Sequence, residues 1–250
     1  MIKVIVTAPT GKMGKLIVKA VYEQGGMKLV GAVGPRGRSY IGQDAGEVSG
    51  MGHQVEALVY DNIEKIIEDC DVVIDFSTVE LSMEVLDACI RHKKALVCGT
   101  TGFSKEQEEK ITDASTKISL LRAANTSYVT NVMKKLIALA AEALGDKAKI
   151  DIIDMHDENK VDSPSGTSKE FATEMAEASG KELSEITHHS VRSGDVSSYH
   201  KVIFGCMGER LEITHHAYNF ECYARGAVDG ALFLEGKPVG LYGMADVIGI

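Results

Sequence analysis

Short apolar stretches alternate with amphipathic segments along the first half of the chain. The stretch at 3–7 is apolar, and the segment at 12–24 places Ile17 and Val21 on one helical face. The sequence DVVIDF at 71–76 is almost wholly apolar and rich in β-branched residues. Such a run is typical of a central parallel strand that is buried on both faces. The alternation predicts a doubly wound α/β sheet.

The same pattern predicts the order of the elements. Strands are expected at 3–7, 28–33, 55–60, 71–76, 95–98 and 118–121, with helices at 12–24, 63–69, 79–92 and 105–116. Beyond Asn125 the pattern changes to helices at 131–144, 168–178 and 224–234 and strands at 150–155, 202–204 and 211–215. We therefore expect a Rossmann-type doubly wound parallel sheet at 1–126, to which 220–250 returns, and a second α+β domain of mixed sheet at 127–219.

Composition narrows the class of protein. The net charge of −9 disfavours nucleic-acid binding, because phosphate neutralisation needs a surplus of Lys and Arg. The chain contains no run of about 18 apolar residues, so no membrane span is expected. The first residues do not have the form of a signal peptide. The five cysteines form no CxxC pair, so we expect a reduced cytoplasmic protein. Adjacent histidines at 188–189 and 215–216 would point to opposite strand faces, so no metal site is expected.

A glycine-containing turn connects the first strand to the first helix. The residues at 8–14 (APTGKMG) occupy the position where backbone N–H groups and a helix N-terminus bind a pyrophosphate. Ala8 stands where the first glycine of that fingerprint is usual, so a plain structural turn is an alternative. The second strand ends without the acidic residue that binds the ribose of NAD. Arg36 and Arg38 follow it and suit a 2′-phosphate, which predicts NADPH, with NADH as a second candidate and incidental loop arginines as the alternative.

Two loops with small and hydroxyl side chains follow later strands. They are the segments 75–78 (DFST) and 98–103 (CGTTGF). Both should lie at the carboxyl edge of the sheet, where ligands of open α/β sheets bind. We expect them to leave room for the nicotinamide ribose, and an ordinary turn is the alternative for 99–102.

The segment at 156–167 (HDENKVDSPSGT) concentrates the candidate chemistry. His156 can donate a proton near neutral pH, and Lys160 with the N–H groups of the following turn suits a carboxylate. Together with the cofactor turn, the segment predicts reduction of a small anion by a nicotinamide cofactor. A surface histidine and a loop lysine without a partner are the alternative. We interpret Asp162 and Glu209 as carboxylates that fix loops.

Motifs in order along nearly the whole chain resemble the 4-hydroxy-tetrahydrodipicolinate reductase (dihydrodipicolinate reductase) family. They are GKMG at 11–14, DFST at 75–78, GTTGF at 99–103, AAN at 123–125, KVDSPSGT at 160–167, SVRSGD at 190–195, GERLEITH at 208–215 and GLYGMADVIG at 240–249. The motif at 160–167 is highly specific, whereas the glycine turn is not.

The resemblance implies NAD(P)H-dependent reduction of 4-hydroxy-tetrahydrodipicolinate, by way of dihydrodipicolinate, to tetrahydrodipicolinate in lysine and diaminopimelate biosynthesis. It implies that His156 donates the proton and that Lys160 binds a substrate carboxylate. The substrate ligands that it implies are Lys160, Ser165, Gly166, Thr167 and Thr101. The cofactor contacts that it implies are Ala8, Pro9, Thr10, Gly11, Lys12, Met13, Arg36, Phe76, Gly99, Thr100, Thr101, Ala123, Ala124, Asn125 and Thr126. It also implies a homotetramer assembled through the second domain.

Several residues depart from the family pattern. They are Asp157 in place of a histidine, Asn159 in place of a basic residue or histidine, Thr126 in place of an aromatic residue, Val129 in place of a glycine and Phe220 in place of an arginine. At about 6 Å and an effective dielectric constant of about 20, Asp157 would repel a bound carboxylate by on the order of 2–3 kcal/mol. The departures leave open a different cyclic imine or unsaturated acid as substrate, or a non-catalytic NADPH-binding protein. Pairing of Asp157 with Lys160 or with a neighbouring subunit would keep the usual substrate.

Overall fold

The computed structural model describes every residue from Met1 to Ile250. Its contacts divide the chain into two compact units. The first unit comprises Met1–Ser127 and Glu221–Gly249, and the second comprises Tyr128–Phe220 with the last residue, Ile250. None of the helices combines the length and the hydropathy needed to cross a bilayer.

Eleven strands and eight helices make up the molecule. The strands are β1 (Ile2–Thr7), β2 (Met27–Val33), β3 (Val59–Tyr60), β4 (Val72–Asp75), β5 (Ala95–Cys98), β6 (Ser119–Arg122), β7 (Lys149–His156), β8 (Ile186–Arg192), β9 (Ser198–Cys206), β10 (Glu209–Ala217) and β11 (Gly240–Tyr242). The helices are α1 (Lys12–Glu23), α2 (Ala45–Val48), α3 (Val79–His92), α4 (Lys105–Ala114), α5 (Tyr128–Leu144), α6 (Gly166–Ser179), α7 (Glu221–Leu234) and α8 (Met244–Ile248).

The first unit is a seven-stranded parallel sheet with helices on both faces. Its strand order is β11-β6-β5-β4-β1-β2-β3. Alternate residues of β1 enter two cores: Val4 and Val6 pack with Ile17 of α1, whereas Ile5 lies in the cluster that contains Leu86 of α3. Burial on both faces explains why the strand sequences are continuously apolar. The predicted Rossmann-type sheet is confirmed.

The second unit is a four-stranded sheet in the order β10-β9-β7-β8. Strands β7 and β8 are parallel, whereas β9 pairs antiparallel with both β7 and β10. Side chains of α5 and α6, such as Ile137 and Phe171, form one core with Ile152, Val202 and Phe204 of the sheet. The predicted α+β arrangement with a mixed sheet is confirmed.

Several elements differ from the sequence-based prediction. The helix expected at 63–69 is wrong: two 3₁₀ turns, Ile63–Lys65 and Ile67–Asp69, are separated by Ile66, whose φ of −142° breaks the helix. The strand expected at 55–60 shrinks to β3. The elements β8, β11, α2 and α8 were not predicted, because each is too short or too polar to show an apolar period. In β8 only Ile186 is fully buried, and pairing with β7 makes it a strand.

Candidate functional site

The residues predicted to bind a cofactor lie at the carboxyl ends of parallel strands of the first unit. The loops concerned follow β1, β2, β4, β5 and β6. The chain proceeds from β1 to β2 and β3 on one side and then returns to β4 on the other side of β1. The order of the sheet therefore reverses between β1 and β4, and ligands of such sheets bind at this switch point.

Helix α1 begins without a capping side chain. Gly11 is its N-cap residue, makes no side-chain cap bond, and is followed by no acidic residue in the first turn. The carbonyl oxygen of Ala8, a residue with φ of 48°, accepts the Gly11 N–H at 2.9 Å. A Cβ at Gly14 would lie 2.0 Å from the same oxygen, so only glycine lets the helix approach the turn. The turn, with Pro9 and Thr10 in it and Lys12 and Met13 opening the helix, fits a pyrophosphate that would cap α1.

Asp75 holds the switch point together. Its fully buried carboxylate accepts four hydroxyl hydrogen bonds, from Thr7 at 2.8 Å, Ser77 at 2.6 Å, Ser82 at 2.5 Å and Thr100 at 2.8 Å. These bonds connect the ends of β1, β4 and β5 with α3. Sequence analysis did not assign this role to Asp75, although a carboxylate at the end of an apolar strand beside hydroxyl-rich loops was the available signal.

The Phe76 ring packs directly over Gly99. A Cβ at Gly99 would lie 2.1 Å from that ring, so the glycine is required for the contact. Thr100 is buried, and its hydroxyl also accepts the N–H of Ser77 at 2.8 Å. Thr101 is exposed and belongs to the first unit, whereas the other predicted substrate ligands belong to the second. Thr100 therefore stabilises the loop through its hydrogen bonds, whereas Thr101 is exposed to solvent.

The loop after β6 is fixed against α7. Thr126 is 1% exposed, and its hydroxyl donates to the carbonyl oxygen of Tyr223 at 2.7 Å. A Cβ at Gly226 would lie 1.8 Å from the backbone carbonyl oxygen of Thr126, which explains the glycine in α7. The Thr126 side chain is thus engaged within the protein, and the residue as a whole exposes almost no surface. Ala123, Ala124 and Asn125 precede it at the same edge.

Arg36 and Arg38 are exposed in the loop that follows β2. This loop leaves the sheet at Gly34, where a Cβ would lie 2.7 Å from the Tyr40 ring. The pKa of Asp61 lies below its usual value, mainly because of Lys65 and to a smaller extent because of the Arg36 guanidinium. The two predicted arginines therefore place exposed positive charge in the loop after β2.

A row of polar side chains crosses one face of the second sheet. His215 of β10 is paired in register with His200 of β9, and His200 is paired with Asp154 of β7. Ser190 of β8 completes the row opposite Asp154. His200 is 1% exposed and Asp154 is fully buried. Sequence analysis assigned no role to these residues, although Asp154 and His156 continue the buried alternation of Ile150 and Ile152.

Asp154 is the anchor of this row. Its carboxylate accepts hydrogen bonds from Arg192 at 2.6 Å, from the Ser165 N–H at 2.8 Å and from the Ser190 hydroxyl at 3.3 Å. Burial alone would raise the pKa of Asp154, but the Ser165 N–H and Arg192 lower it below the usual range. A second nitrogen of Arg192 donates to the carbonyl oxygen of Asp162 at 2.6 Å. The anchor therefore connects β7, β8 and the 156–167 segment.

His156 ends β7 beside this anchor. It is 7% exposed, and its Nδ1 lies 3.7 Å from the Asp154 carboxylate. Its ring meets the His200 ring edge-on, with 5.3 Å between the centroids. Burial, followed by the Lys160 ammonium, lowers the pKa of His156, and burial lowers the pKa of His200 to about 3. Both shifts favour the neutral form of the ring at pH 7.

Lys160 and the start of α6 surround an anion position. The Lys160 ammonium lies 2.7 Å from the Asp162 carboxylate. The pKa of Asp162 is lowered mainly by Lys160, and the Gly166 N–H contributes. Ser165 caps α6, because its hydroxyl accepts the Ser168 N–H at 3.2 Å, and Gly166 and Thr167 open the helix. Two of the predicted carboxylate ligands, the Lys160 ammonium and the Gly166 N–H, thus interact with the Asp162 carboxylate.

Asp157 caps its own turn. Its carboxylate accepts the Asn159 N–H at 3.0 Å, whereas Lys160 pairs with Asp162. Pairing of Asp157 with Lys160, considered from the sequence, does not occur in this structure. The Asp157 carboxylate therefore stabilises its own turn, and Asn159 contributes only its backbone N–H to this bond.

The remaining histidines and cysteines form no metal site. His188 Nδ1 lies 2.8 Å from the Ser168 hydroxyl, and His189 Nε2 lies 2.8 Å from the Asp151 carboxylate. No group of three His, Cys, Asp or Glu side chains is arranged to hold a metal ion. All five cysteines are free thiols.

Comparison with known proteins identifies the family of the chain. Residues 2–126 match the sequence profile of the dihydrodipicolinate reductase N-terminus, and residues 129–248 match that of its C-terminus. The 4-hydroxy-tetrahydrodipicolinate reductases of Syntrophotalea carbinolica and Hahella chejuensis are each 37% identical to the chain, and each alignment covers all of both sequences.

Solved structures give the same result. A dipicolinate-bound dihydrodipicolinate reductase from Paenisporosarcina sp. TG-14 superposes with a TM-score of 0.81 at 27% identity and covers 99% of each chain. An amine dehydrogenase from Mycobacterium smegmatis has a TM-score of 0.68 at 12% identity, covering 96% of this chain and 94% of its own, and shares the fold alone. The chain belongs to the dihydrodipicolinate reductase family.

Proposed function

We propose that the chain reduces 4-hydroxy-tetrahydrodipicolinate, by way of dihydrodipicolinate, to tetrahydrodipicolinate with NADPH. The observation that carries this proposal is the anion position formed by Lys160 and the start of α6. The Lys160 ammonium lies close enough to the buried His156 to lower its pKa. A cyclic dicarboxylate needs a cation and oriented N–H donors for a carboxylate and a proton donor for the ring. Full-length relatives named for this reaction support the choice of substrate.

Lys160 and the N–H groups of Gly166 and Thr167 bind one substrate carboxylate in this proposal. A charged hydrogen bond to an ammonium is about twice as strong as a neutral one, and the start of α6 adds its positive end. The Ser165 cap, held to Asp154, fixes the direction of these N–H groups. The carboxylate thereby fixes the position of the substrate ring.

His156 supplies the proton in this proposal. Its low pKa in the ligand-free chain means that it must gain its proton when the substrate binds. A dicarboxylate brings more negative charge to the site than the Asp162 carboxylate alone, and this added charge would raise the pKa of His156. The proton donor is thus charged only when there is a substrate to protonate.

We propose that the 8–14 turn, the 75–78 loop, the 99–102 loop and the 123–126 loop bind NADPH. The cofactor supplies a hydride to a ring carbon when it is bound. The uncapped α1 binds the pyrophosphate, and Arg36 binds the 2′-phosphate. This phosphate contact distinguishes NADPH from NADH.

The proposed preference is tested with Arg36→Ala. Hydrogen bonds to charged groups contribute about 1.5–3 kcal/mol, so the KM for NADPH should rise by about tenfold or more. The KM for NADH, measured in the same variant, is the internal control and should change little. An equal change in both constants, or an NADH preference of the wild-type chain, would remove Arg36 from cofactor selection.

The proposed reaction is tested in a bacterial strain that requires lysine and diaminopimelate because it lacks this reductase. The wild-type gene should restore growth without these supplements. His156→Gln, which keeps a polar side chain but cannot donate the same proton, should restore it poorly, because loss of a general acid lowers turnover by roughly 10²–10⁴-fold. Equal growth with both genes would exclude His156 as the donor.

A different cyclic imine or unsaturated acid is the second candidate substrate. Asp157 favours it, because this half-buried carboxylate adds negative charge beside the proposed anion position. Steady-state rates with the dicarboxylate and with cyclic imines that carry one carboxylate separate the two candidates. A higher kcat/KM for the monocarboxylates would favour the second.

We also propose a homotetramer assembled through the second unit, and a cytoplasmic location. Exposed apolar side chains such as Val129, Leu136 and Leu139 on α5 support self-association. Five free thiols support a reducing compartment. Sedimentation at several concentrations tests the assembly, and a monomer at micromolar concentration would contradict it.

A further inference from the structure

The anion position of the second unit is already held by a carboxylate of the chain itself. Asp162 lies two residues beyond Lys160, and its Oδ1 is 2.7 Å from the Lys160 ammonium. The Gly166 N–H contributes to its low pKa. These are two of the groups that bind the substrate carboxylate in the proposed function. Asp162 therefore makes the contacts that a substrate would make.

We propose that Asp162 is an internal competitor that occupies the substrate's anion site in the ligand-free chain and is displaced when a dicarboxylate binds. This inference rests on the proposed function of the site. It replaces our sequence-based interpretation of Asp162 as a carboxylate that only fixes its loop.

The backbone at Asp162 is fixed while its side chain is accessible. Arg192, itself bound to the buried Asp154, donates to the Asp162 carbonyl oxygen at 2.6 Å. The Asp162 side chain is 49% exposed, and that of Lys160 is 27% exposed. Rotation about the Asp162 side-chain bonds can therefore carry the carboxylate into water without moving the loop. The exchange replaces one carboxylate by another, so the charge around Lys160 is conserved.

Displacement of Asp162 adds a cost to the binding of every anion at this site. Any ligand that enters must first break the Lys160–Asp162 pair, so a single carboxylate gains little from the exchange. A dicarboxylate brings a second charged group with contacts that Asp162 cannot reproduce. Asp162 thus weakens the binding of all anions by a similar factor, and only ligands with further contacts bind tightly.

The test is calorimetric titration of the full-length chain with dipicolinate (pyridine-2,6-dicarboxylate). Asp162→Asn keeps the size and removes the charge, and should lower the Kd by about two- to fivefold, the range expected for loss of a competing exposed ion pair. Glu158→Gln is the matched control, because it removes one negative charge from the same segment at an exposed residue. It should change the Kd by less than about twofold. Picolinate, with one carboxylate, should gain at least as much from Asp162→Asn.

The outcomes separate this inference from the proposed function. Tighter binding by Asp162→Asn, beyond that of Glu158→Gln, supports displacement. Unchanged or weaker binding by Asp162→Asn, with normal wild-type binding, overturns the inference alone and assigns Asp162 to orienting Lys160. A wild-type chain that binds no dipicolinate contradicts both the proposed site and the inference. Thermal unfolding of each variant verifies that it is folded.

Discussion

At the scale of single residues, His156 is defined by what surrounds it. Asp154 and Arg192 fix the end of β7, His200 packs against the ring, and Lys160 supplies a nearby positive charge. Burial and Lys160 both disfavour the imidazolium. The sequence predicted His156 as a proton donor and Lys160 as a carboxylate ligand, and the structure adds the burial that, with the Lys160 ammonium, lowers the pKa of His156.

This environment predicts the pH dependence of the reaction. The donor must be protonated, so activity should fall as the pH rises through the pKa of His156. The kcat/KM profile reports the free protein and should fall from below pH 6.5, the ordinary histidine value, because that pKa is lowered. The kcat profile should fall at higher pH, because bound carboxylates raise the pKa. Steady-state rates between about pH 5 and 9 measure both, and the reverse order of the two limbs would contradict the account.

At the scale of elements, the connection between β1 and α1 is the part of the proposed cofactor site with the closest backbone packing. The helix starts at Gly11 without a side-chain cap, and Gly14 lies against the Ala8 carbonyl. Ala8 takes a φ of 48°, a conformation that is uncommon for alanine and is usually filled by glycine. Ala8 therefore has the left-handed backbone conformation that glycine adopts most readily.

Gly14→Ala should displace α1 from this turn. The added Cβ would lie 2.0 Å from the Ala8 oxygen, so backbone must move. We expect NADPH affinity to fall by about tenfold or more, together with a loss of about 1–3 kcal/mol in unfolding free energy. Gly25→Ala is the control, since its Cβ would meet no atom within 4 Å. Fluorescence titration with NADPH and urea unfolding measure the two effects, and matching results for both variants would contradict the close contact.

The apolar pattern was sufficient for elements that bury a continuous face. Helix α3 and strand β5 lie where they were predicted, because Thr78 caps the helix and the strand is apolar throughout. The edge strand β8 was missed because its stability comes from pairing with β7 and not from its own residues. The buried row through Asp154 and His200 was missed for a similar reason. It arises from register between strands distant in sequence, which periodicity within one strand cannot reveal.

At the scale of the whole molecule, buried neutral histidines couple stability to pH. His200 has a pKa of about 3 in the folded chain, against 6.5 for an unperturbed side chain. Between these values the unfolded state binds a proton that the folded state does not. Stability is therefore lost as the pH falls from 6.5 towards 3.

His200→Gln should reduce this loss. The slope of unfolding free energy against pH near pH 5 should fall by up to about 1.4 kcal/mol per pH unit, the value for one proton. His92→Gln is the control: Glu64 and Glu68 raise the pKa of this partly exposed histidine, so its contribution to stability is lost only as the pH rises above 6.5. Urea unfolding at a series of pH values measures the slopes. An unchanged slope in His200→Gln would show that His200 is not neutral in the folded chain.

The central claim is that the chain is a dicarboxylate reductase. Its most direct test is NADPH oxidation by the purified protein, with 4-hydroxy-tetrahydrodipicolinate generated in the cuvette by its synthase. The account predicts turnover within the usual range for enzymes, about 1–10³ per second. NADPH binding without oxidation under these conditions would contradict it, and would mean that the chain, with Asp157 in place of the usual histidine, serves another substrate or no catalysis.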